Sequence, residues 1–190
     1  MKNIHTQESG RSMVEMLGVL AIIGVLSVGG IAGYSQAMSK FKVSKTIDQV
    51  QTLITNIRTL YAGSRTFTGL TAARAKNMGL LTEETYDGTN GLNPFGGMIL
   101  FGTASGGRTF QITYTKLTGE ACVRLATADW GADRSSGLVS IAIATAGTTA
   151  VDATLHNWDS TGAASLPVDV GSAVDQCGDK DTGVITWTFK

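Results

Sequence analysis

The most unusually placed charged residue in this sequence is Glu15, which lies directly before an uncharged stretch of nineteen residues, Met16–Tyr34. An ionised carboxylate at the centre of a bilayer costs on the order of 2 to 3 kcal/mol, so such a group normally has a partner of opposite charge. Glu15 is therefore a candidate for a functional charge pair. The alternative is that Glu15 is a solvated residue in the headgroup region beside a membrane helix.

Other reactive side chains are sparse. Cys122 and Cys177 are the only cysteines, and their separation matches no metal-ligand spacing, so they form either two buried thiols or a disulfide. His156 is the only histidine after His5, and a lone histidine in a turn reading TLHNWD is more typical of a surface or packing residue than of a base or ligand. Nucleophile elbows, phosphate loops and CxxC motifs are absent from the sequence. We therefore expect no enzymatic activity, no cofactor and no metal site.

The first element needed to position these residues is a membrane helix. Met16–Tyr34 is long enough to cross a hydrocarbon core of about 30 Å. A secretory signal peptide would have a shorter apolar run and a small-residue cleavage site after it. Here a helical pattern continues instead, with apolar residues three and four apart from Val43 to Tyr61 and with Gly63 as a natural stop. We predict one long helix over about residues 12–62.

The rest of the chain predicts a single α+β head. A short helical stretch begins after Gly69, strands are expected over residues 98–103, 108–115, 138–144 and 184–189, and Thr118 is the expected cap of a helix between the second and third strands. This order favours a long helix packed on a mostly antiparallel sheet. The balance of 15 Lys and Arg against 15 Asp and Glu disfavours nucleic acid as a partner.

The segment GRSMVEMLGVLAIIGVL, residues 10–26, resembles the signature of type IV prepilins. The runs NPFGG at residues 93–97, ACVRLA at 121–126 and ITWTF at 185–189 resemble the type IVb pilins, the class of the toxin-coregulated and bundle-forming pilins. The resemblance implies that prepilin peptidase cleaves between Gly10 and Arg11 and that the new amine of Arg11 is N-methylated. Pilins usually begin with an apolar residue, whereas this mature chain would begin with Arg11.

The resemblance also gives Glu15 and the cysteines their expected roles. As the fifth residue of the mature chain, Glu15 would pair with the N-terminal amine of a neighbouring subunit, which removes two unpaired charges from an apolar filament core. Because a pilin head is exported to an oxidising compartment, Cys122 and Cys177 are expected to form a disulfide. That bond would bound the D-region, which lies on the filament surface in this family.

The resulting hypothesis is a structural subunit of a bacterial type IV pilus, used for adhesion, aggregation or motility. Its expected parts are a leader (1–10), a transmembrane and polymerisation helix (11–34), an amphipathic half of the same helix (35–63) and a pilin head (64–190). Its partners would be copies of itself, prepilin peptidase, the inner-membrane assembly machinery and, before assembly, membrane lipid. The precursor would reside in the inner membrane and the product in the extracellular pilus.

Two alternatives remain open from the sequence. The first is a minor pilin or a type II secretion pseudopilin, which shares the N-terminal signature. The second is a monomeric binding domain that uses the helix only as a membrane anchor. Cleavage after Gly10 separates these classes, because an anchor needs no cleavage.

Overall fold

The structure is a computed structural model that describes residues 9–131, 133–145, 154–159, 165–178 and 182–190. The chain divides into two units, one ending at Phe41 and one running from Lys42 to Lys190, here called the head unit. Of the predicted leader, only Ser9 and Gly10 belong to the described residues.

The first element is helix α1, Ser9–Tyr61. Its bounds agree within three residues with the helix predicted over 12–62. Proline is absent from the helix, so every residue can donate its backbone N–H, and Gly63 follows its last turn. The helix contains Gly24, Gly29 and Gly30 without interruption. From Lys42 onward its buried side chains recur three and four residues apart, as the amphipathic pattern predicts: Val43, Thr46, Val50, Leu53, Ile54 and Ile57.

The head unit continues with three short helices and six strands. The strands are β1 (Gly91–Leu92), β2 (Met98–Ala104), β3 (Thr109–Leu117), β4 (Leu138–Thr145), β5 (Thr154–Asn157) and β6 (Gly183–Phe189). The helices are α2 (Ala72–Asn77), α3 (Gly119–Ala126) and α4 (Val170–Cys177). Single 3₁₀ turns occupy Glu83–Thr85, Ser105–Gly107 and Arg134–Ser136. This arrangement confirms the predicted α+β class.

The six strands form one sheet in the order β1-β2-β3-β6-β4-β5, with antiparallel neighbours throughout. Strand β6, which comes last in the chain, therefore lies in the interior of the sheet between β3 and β4. One row across the sheet pairs Ile112 with Trp187, and Trp187 with Ile141. These side chains are almost fully buried, because they point toward the face on which α1 packs. The hydroxyl of Tyr114 on the same face donates to Oε1 of Gln49 on α1 at 3.0 Å.

The two helices beside the sheet have side-chain caps at their N-termini. Thr118 accepts a hydrogen bond from the backbone N–H of Ala121 at 3.2 Å, which confirms the predicted cap of α3. Asp169 caps α4 in the same way by accepting from the N–H of Ser172 at 3.0 Å. Each cap satisfies a backbone donor that has no partner within its helix.

Three elements differ from the sequence-based expectations. The four predicted strands are present within two residues, but β1 and helix α4 were not predicted. The expected turn around His156 is wrong, because residues Thr154–Asn157 form strand β5. This segment is extended because it pairs with β4, where Leu155 lies opposite Ala142 and His156 opposite Ile141. A strand of four residues carries too little local pattern to separate it from a turn.

Candidate assembly surface

The largest uncovered apolar surface lies on the N-terminal half of α1. Between Met13 and Tyr34 every large apolar side chain is exposed, from 52 % at Val19 to 75 % at Val25. The five glycines of this segment have no atoms within 4 Å of where a Cβ would lie. Burying one such side chain stabilises by roughly 1.5 to 3 kcal/mol, so this surface requires an apolar partner.

Length and composition make this helix able to cross a bilayer. Within the described part of the chain it is the one helix that is both long and apolar enough, with a mean hydropathy of 2.2 over an eighteen-residue window. None of that window is buried within the structure. The apolar core helix of a soluble protein is mostly buried, so lipid or other helices are the environments that fit this one.

The proposed processing site lies at the start of the same helix. Ser9 is the first residue of α1, so the backbone of Gly10 and Arg11 is helical. Glu15 follows Arg11 by four residues, about one helical turn, and is exposed. None of the ion pairs within the described residues involves Glu15. Among the described residues, the structure therefore gives Glu15 no partner of opposite charge.

The two cysteines are joined in the head unit. The disulfide Cys122–Cys177 has a Cα–Cα distance of 5.7 Å, links α3 to α4 and has both residues fully buried. A Cβ at Gly183, the first residue of β6, would lie 3.0 Å from Cβ of Cys122, so the bond packs directly against the sheet. Closing a chain segment of this length stabilises the fold by about 4 kcal/mol on the loop-entropy account.

Arg58, near the C-terminal end of α1, connects the helix to two distant segments of the head. Its Nε donates to the carbonyl of Lys190 at 3.0 Å, and Nη2 donates to the carbonyl of Ser136 at 2.9 Å. The guanidinium also lies 5.3 Å from the ring centroid of Phe189. Burial lowers the pKa of Arg58 from its usual value. No local pattern could reveal these contacts, because they join α1 to residues 78 to 132 positions later.

Asn93 fixes the loop NPFGG that precedes β2. Its Oδ1 accepts from the N–H groups of Phe95 at 2.9 Å and Gly97 at 3.0 Å, while Nδ2 donates to the carbonyl of Thr115 at 2.8 Å. Asn93 is 5 % exposed, so these bonds satisfy a buried amide. A side chain at Gly97 would place its Cβ 1.9 Å from the Thr115 carbonyl oxygen, which explains a glycine at this position.

His156 has a packing role in the head. The imidazole is fully buried, with Nε2 2.7 Å from Oε1 of Gln176 on α4 and Nδ1 3.3 Å from the carbonyl of Ser165. A cavity of about 290 Å³ elsewhere in the head is lined mostly by apolar residues, with Trp130, Trp158 and Asp129 among them. Both indole N–H groups already donate to backbone carbonyls, those of Leu125 and Leu138 respectively. Within the described residues no group of three or more His, Cys, Asp or Glu is placed to hold a metal ion.

Comparison with known proteins adds family information to this geometry. The family model described as Bundlin matches residues 36–190. The chain is 32 % identical over 128 residues to proteins named "Major structural subunit of bundle-forming pilus" in Escherichia coli O127:H6 and O111:H-. These alignments cover 65 % of this chain and 66 % of each relative, just under two thirds of the relatives' length.

Among solved structures, the chain is similar to the crystal structure of TcpA, a type IV pilin from Vibrio cholerae of the El Tor biotype. The TM-score is 0.56, and the match covers 78 % of this chain and 99 % of that one. With 14 % sequence identity, this likeness concerns the fold. The two chains therefore share an overall fold.

Proposed function

Because the chain belongs to the bundlin family and has a type IVb-like pilin fold, we propose that it is a structural subunit that polymerises into an extracellular type IV pilus. The observation that carries this function is the apolar surface of α1 between Met13 and Tyr34, which is exposed over its whole length. A lipid bilayer covers such a surface before assembly, and the same surfaces of neighbouring subunits cover it afterwards. The two environments account for one helix serving both as anchor and as polymerisation element.

Maturation of the chain requires cleavage between Gly10 and Arg11 by prepilin peptidase, followed by N-methylation of Arg11. This step is supported by the order of Gly10, Glu15 and the apolar run in the sequence. Cleavage removes the residues before Arg11 and creates a positively charged amine one helical turn from Glu15. Glu15 is present from the start, so the amine is the charge that becomes available only after processing.

In assembly, Glu15 of one subunit pairs with the N-terminal amine of a neighbour. The support is that Glu15 has no ion-pair partner among the described residues of its own chain. Leaving one partner of a buried charge pair alone costs roughly 3 to 5 kcal/mol, whereas the complete pair adds little net stability. The pair therefore selects the axial register of subunits, and apolar contacts supply most of the association energy.

The head unit forms the exposed part of the filament, and its disulfide-bounded region lies on the filament surface. The relatives' name, a major structural subunit, favours a major pilin over a minor pilin or pseudopilin. The head lacks a metal cluster among its described residues and needs none for this role. Its partners are other copies of the chain, prepilin peptidase and the inner-membrane assembly machinery, and the filament serves adhesion, aggregation or motility.

The proposal is tested by identifying the N-terminal residue of the main protein in filaments sheared from cells that produce the chain. We expect a methylated Arg11 as the first residue, determined by mass spectrometry of the N-terminal peptide. A Gly10→Val variant is the control, because a larger side chain at the cleavage position should leave the leader attached and the cell surface without filaments. Intact Met1 on surface filaments, or a wild-type chain found only as a membrane monomer, would contradict the proposal.

A further inference from the structure

We propose that one end of the head unit, formed by Lys42, Lys45, Lys116 and Phe95, docks on the anionic headgroups of the bilayer while the subunit awaits assembly. We call these four residues the lysine end. The inference rests on the proposed function, because it requires the apolar part of α1 to span a membrane. It gives the head a role while the subunit is still in the membrane, a stage at which pilus assembly assigns the head none.

The lysine end brings residues from three parts of the chain together. Nζ of Lys42 on α1 lies 5.9 Å from the ring centroid of Phe95 in the NPFGG loop. Lys45 follows on the same helix, three residues later, and is exposed. Lys116 is exposed beside the same loop, since a Cβ added at Gly97 would lie 2.8 Å from Cβ of Lys116.

The backbone around this end is held in place. Asn93 fixes Phe95 and Gly97 through their N–H groups and binds the carbonyl of Thr115, the residue before Lys116. Lys116 has a φ of 59°, a conformation that non-glycine residues rarely adopt, at the point where the pairing of β3 with β6 changes register. The backbone that carries Phe95 and Lys116 is thus held in place, which lowers the entropy lost when a surface is bound.

The charge of the lysine end is not neutralised within the described part of the chain. The three ion pairs found there are Lys76–Glu83, Arg124–Glu120 and Arg134–Asp159. None involves Lys42, Lys45 or Lys116. The acidic residues nearest to these lysines in the sequence are Asp48, three residues beyond Lys45, and Glu120, four residues beyond Lys116, and Glu120 is paired with Arg124.

The chain itself limits how far this end can be from a membrane. Lys42 follows Tyr34, the last residue of the apolar run, by eight residues of continuous helix. Eight residues of helix span at most about 12 Å, whatever the tilt of the helix. Headgroups extend about 5 to 8 Å beyond the hydrocarbon core, and the Debye length at physiological salt is about 8 Å. Lys42, the residue of the lysine end nearest to the apolar run in the sequence, therefore falls within the field of the surface.

The experiment compares the full-length chain in lipid nanodiscs made with about 30 % phosphatidylglycerol and in discs of phosphatidylcholine alone. Hydrogen–deuterium exchange reports the amides of residues 93–97 and 115–117. We expect these amides to exchange more slowly in the anionic discs. Each lysine changed to Gln should weaken binding of the head to the anionic surface about fivefold and reduce this slowing accordingly. The triple variant Lys42→Gln/Lys45→Gln/Lys116→Gln should lose the difference between the two lipids, as should wild type in 1 M salt.

The matched control removes three arginines from elsewhere on the head, Arg65→Gln/Arg74→Gln/Arg108→Gln. Arg108 lies at the turn between β2 and β3, the opposite end of these strands from Lys116, so this variant should keep the lipid dependence. If the triple lysine variant misfolds, as faster exchange in the centre of β3 would reveal, the single variants Lys45→Gln and Lys116→Gln are compared instead.

Equal exchange in both lipids overturns the inference, and so does a lipid effect that survives in the lysine variants. A slowing that grows with the number of chains per disc also overturns it, because a second copy would then be the partner. Failure of the chain to insert into discs would instead contradict the proposed function.

Discussion

Removal of the Arg58 guanidinium should destabilise the head measurably, because this side chain connects helix α1 to two distant segments of the head. Arg58→Ala deletes hydrogen bonds to the carbonyls of Ser136 and Lys190 and the contact with the ring of Phe189. A buried hydrogen bond from a charged donor stabilises the fold by about 1.5 to 3 kcal/mol. Because one of these two bonds is exposed and the other half-buried, we expect the two together to contribute about 2 kcal/mol. The ring contact adds about 0.5 kcal/mol.

A loss of about 2 to 3 kcal/mol corresponds to a decrease in Tm of roughly 4 to 12 °C for a head of this size. The assay is thermal unfolding of the full chain in detergent, followed by near-ultraviolet circular dichroism of the buried tryptophans. Arg58→Lys should lie between wild type and Arg58→Ala, because an ammonium cannot reach both carbonyls as the planar fork does. Arg65→Ala, which removes an exposed arginine, should change the free energy of unfolding by less than about 0.5 kcal/mol. If Arg58→Ala melted within about 1 °C of Arg65→Ala, the structural role described for Arg58 would be wrong.

Three further predictions concern assembly, the disulfide and acid stability. Glu15→Gln should leave cleavage and membrane insertion intact but severely reduce the number of surface filaments. Filaments are counted by electron microscopy of cells that lack the wild-type chain, and normal numbers would exclude the charge pair. Reduction of Cys122–Cys177, or the double change to Ser, should lower the free energy of unfolding by about 4 kcal/mol, and alkylation of both thiols in untreated exported protein would contradict the bond. Hydrogen bonds from the hydroxyl and then the N–H of Ser135 lower the pKa of Asp133. The stabilising effect of the Asp133 carboxylate should therefore be complete above about pH 4 and disappear as the pH falls through its folded-state pKa. The free energies of unfolding of Asp133→Ala and wild type, measured by denaturation, should converge in acid. A constant difference between them down to about pH 2 would refute this.

The features that the sequence predicted are those encoded by neighbouring residues. Spacing of apolar residues along α1 and the cap residue Thr118 are local patterns, and both helices are present within a few residues of the expected bounds. The strands β2, β3, β4 and β6 carry enough β-branched and aromatic residues to be recognised. The processing site and the role of Glu15 depend on a contiguous motif, so the order of residues along the chain is sufficient to propose them.

The features that the sequence did not predict depend on distant partners. Helix α4 begins with VGS, a composition that favours a turn, and it is helical because Asp169 caps it and Cys177 ties it to α3. Strand β5 exists through its pairing with β4, and its buried His156 is satisfied by Gln176 from α4. Such contacts override weak local preferences, and a single sequence does not show which segments will meet.

The interior position of strand β6 has a consequence for the order in which the head is made. Residues 183–189 separate β3 from β4, so the two halves of the sheet cannot join until this segment is in place. Until then the head would be an incomplete sheet with two open edges, which are sites for pairing with other chains. Its folding is therefore dominated by contacts between residues remote in the sequence, a class of topology that folds slowly.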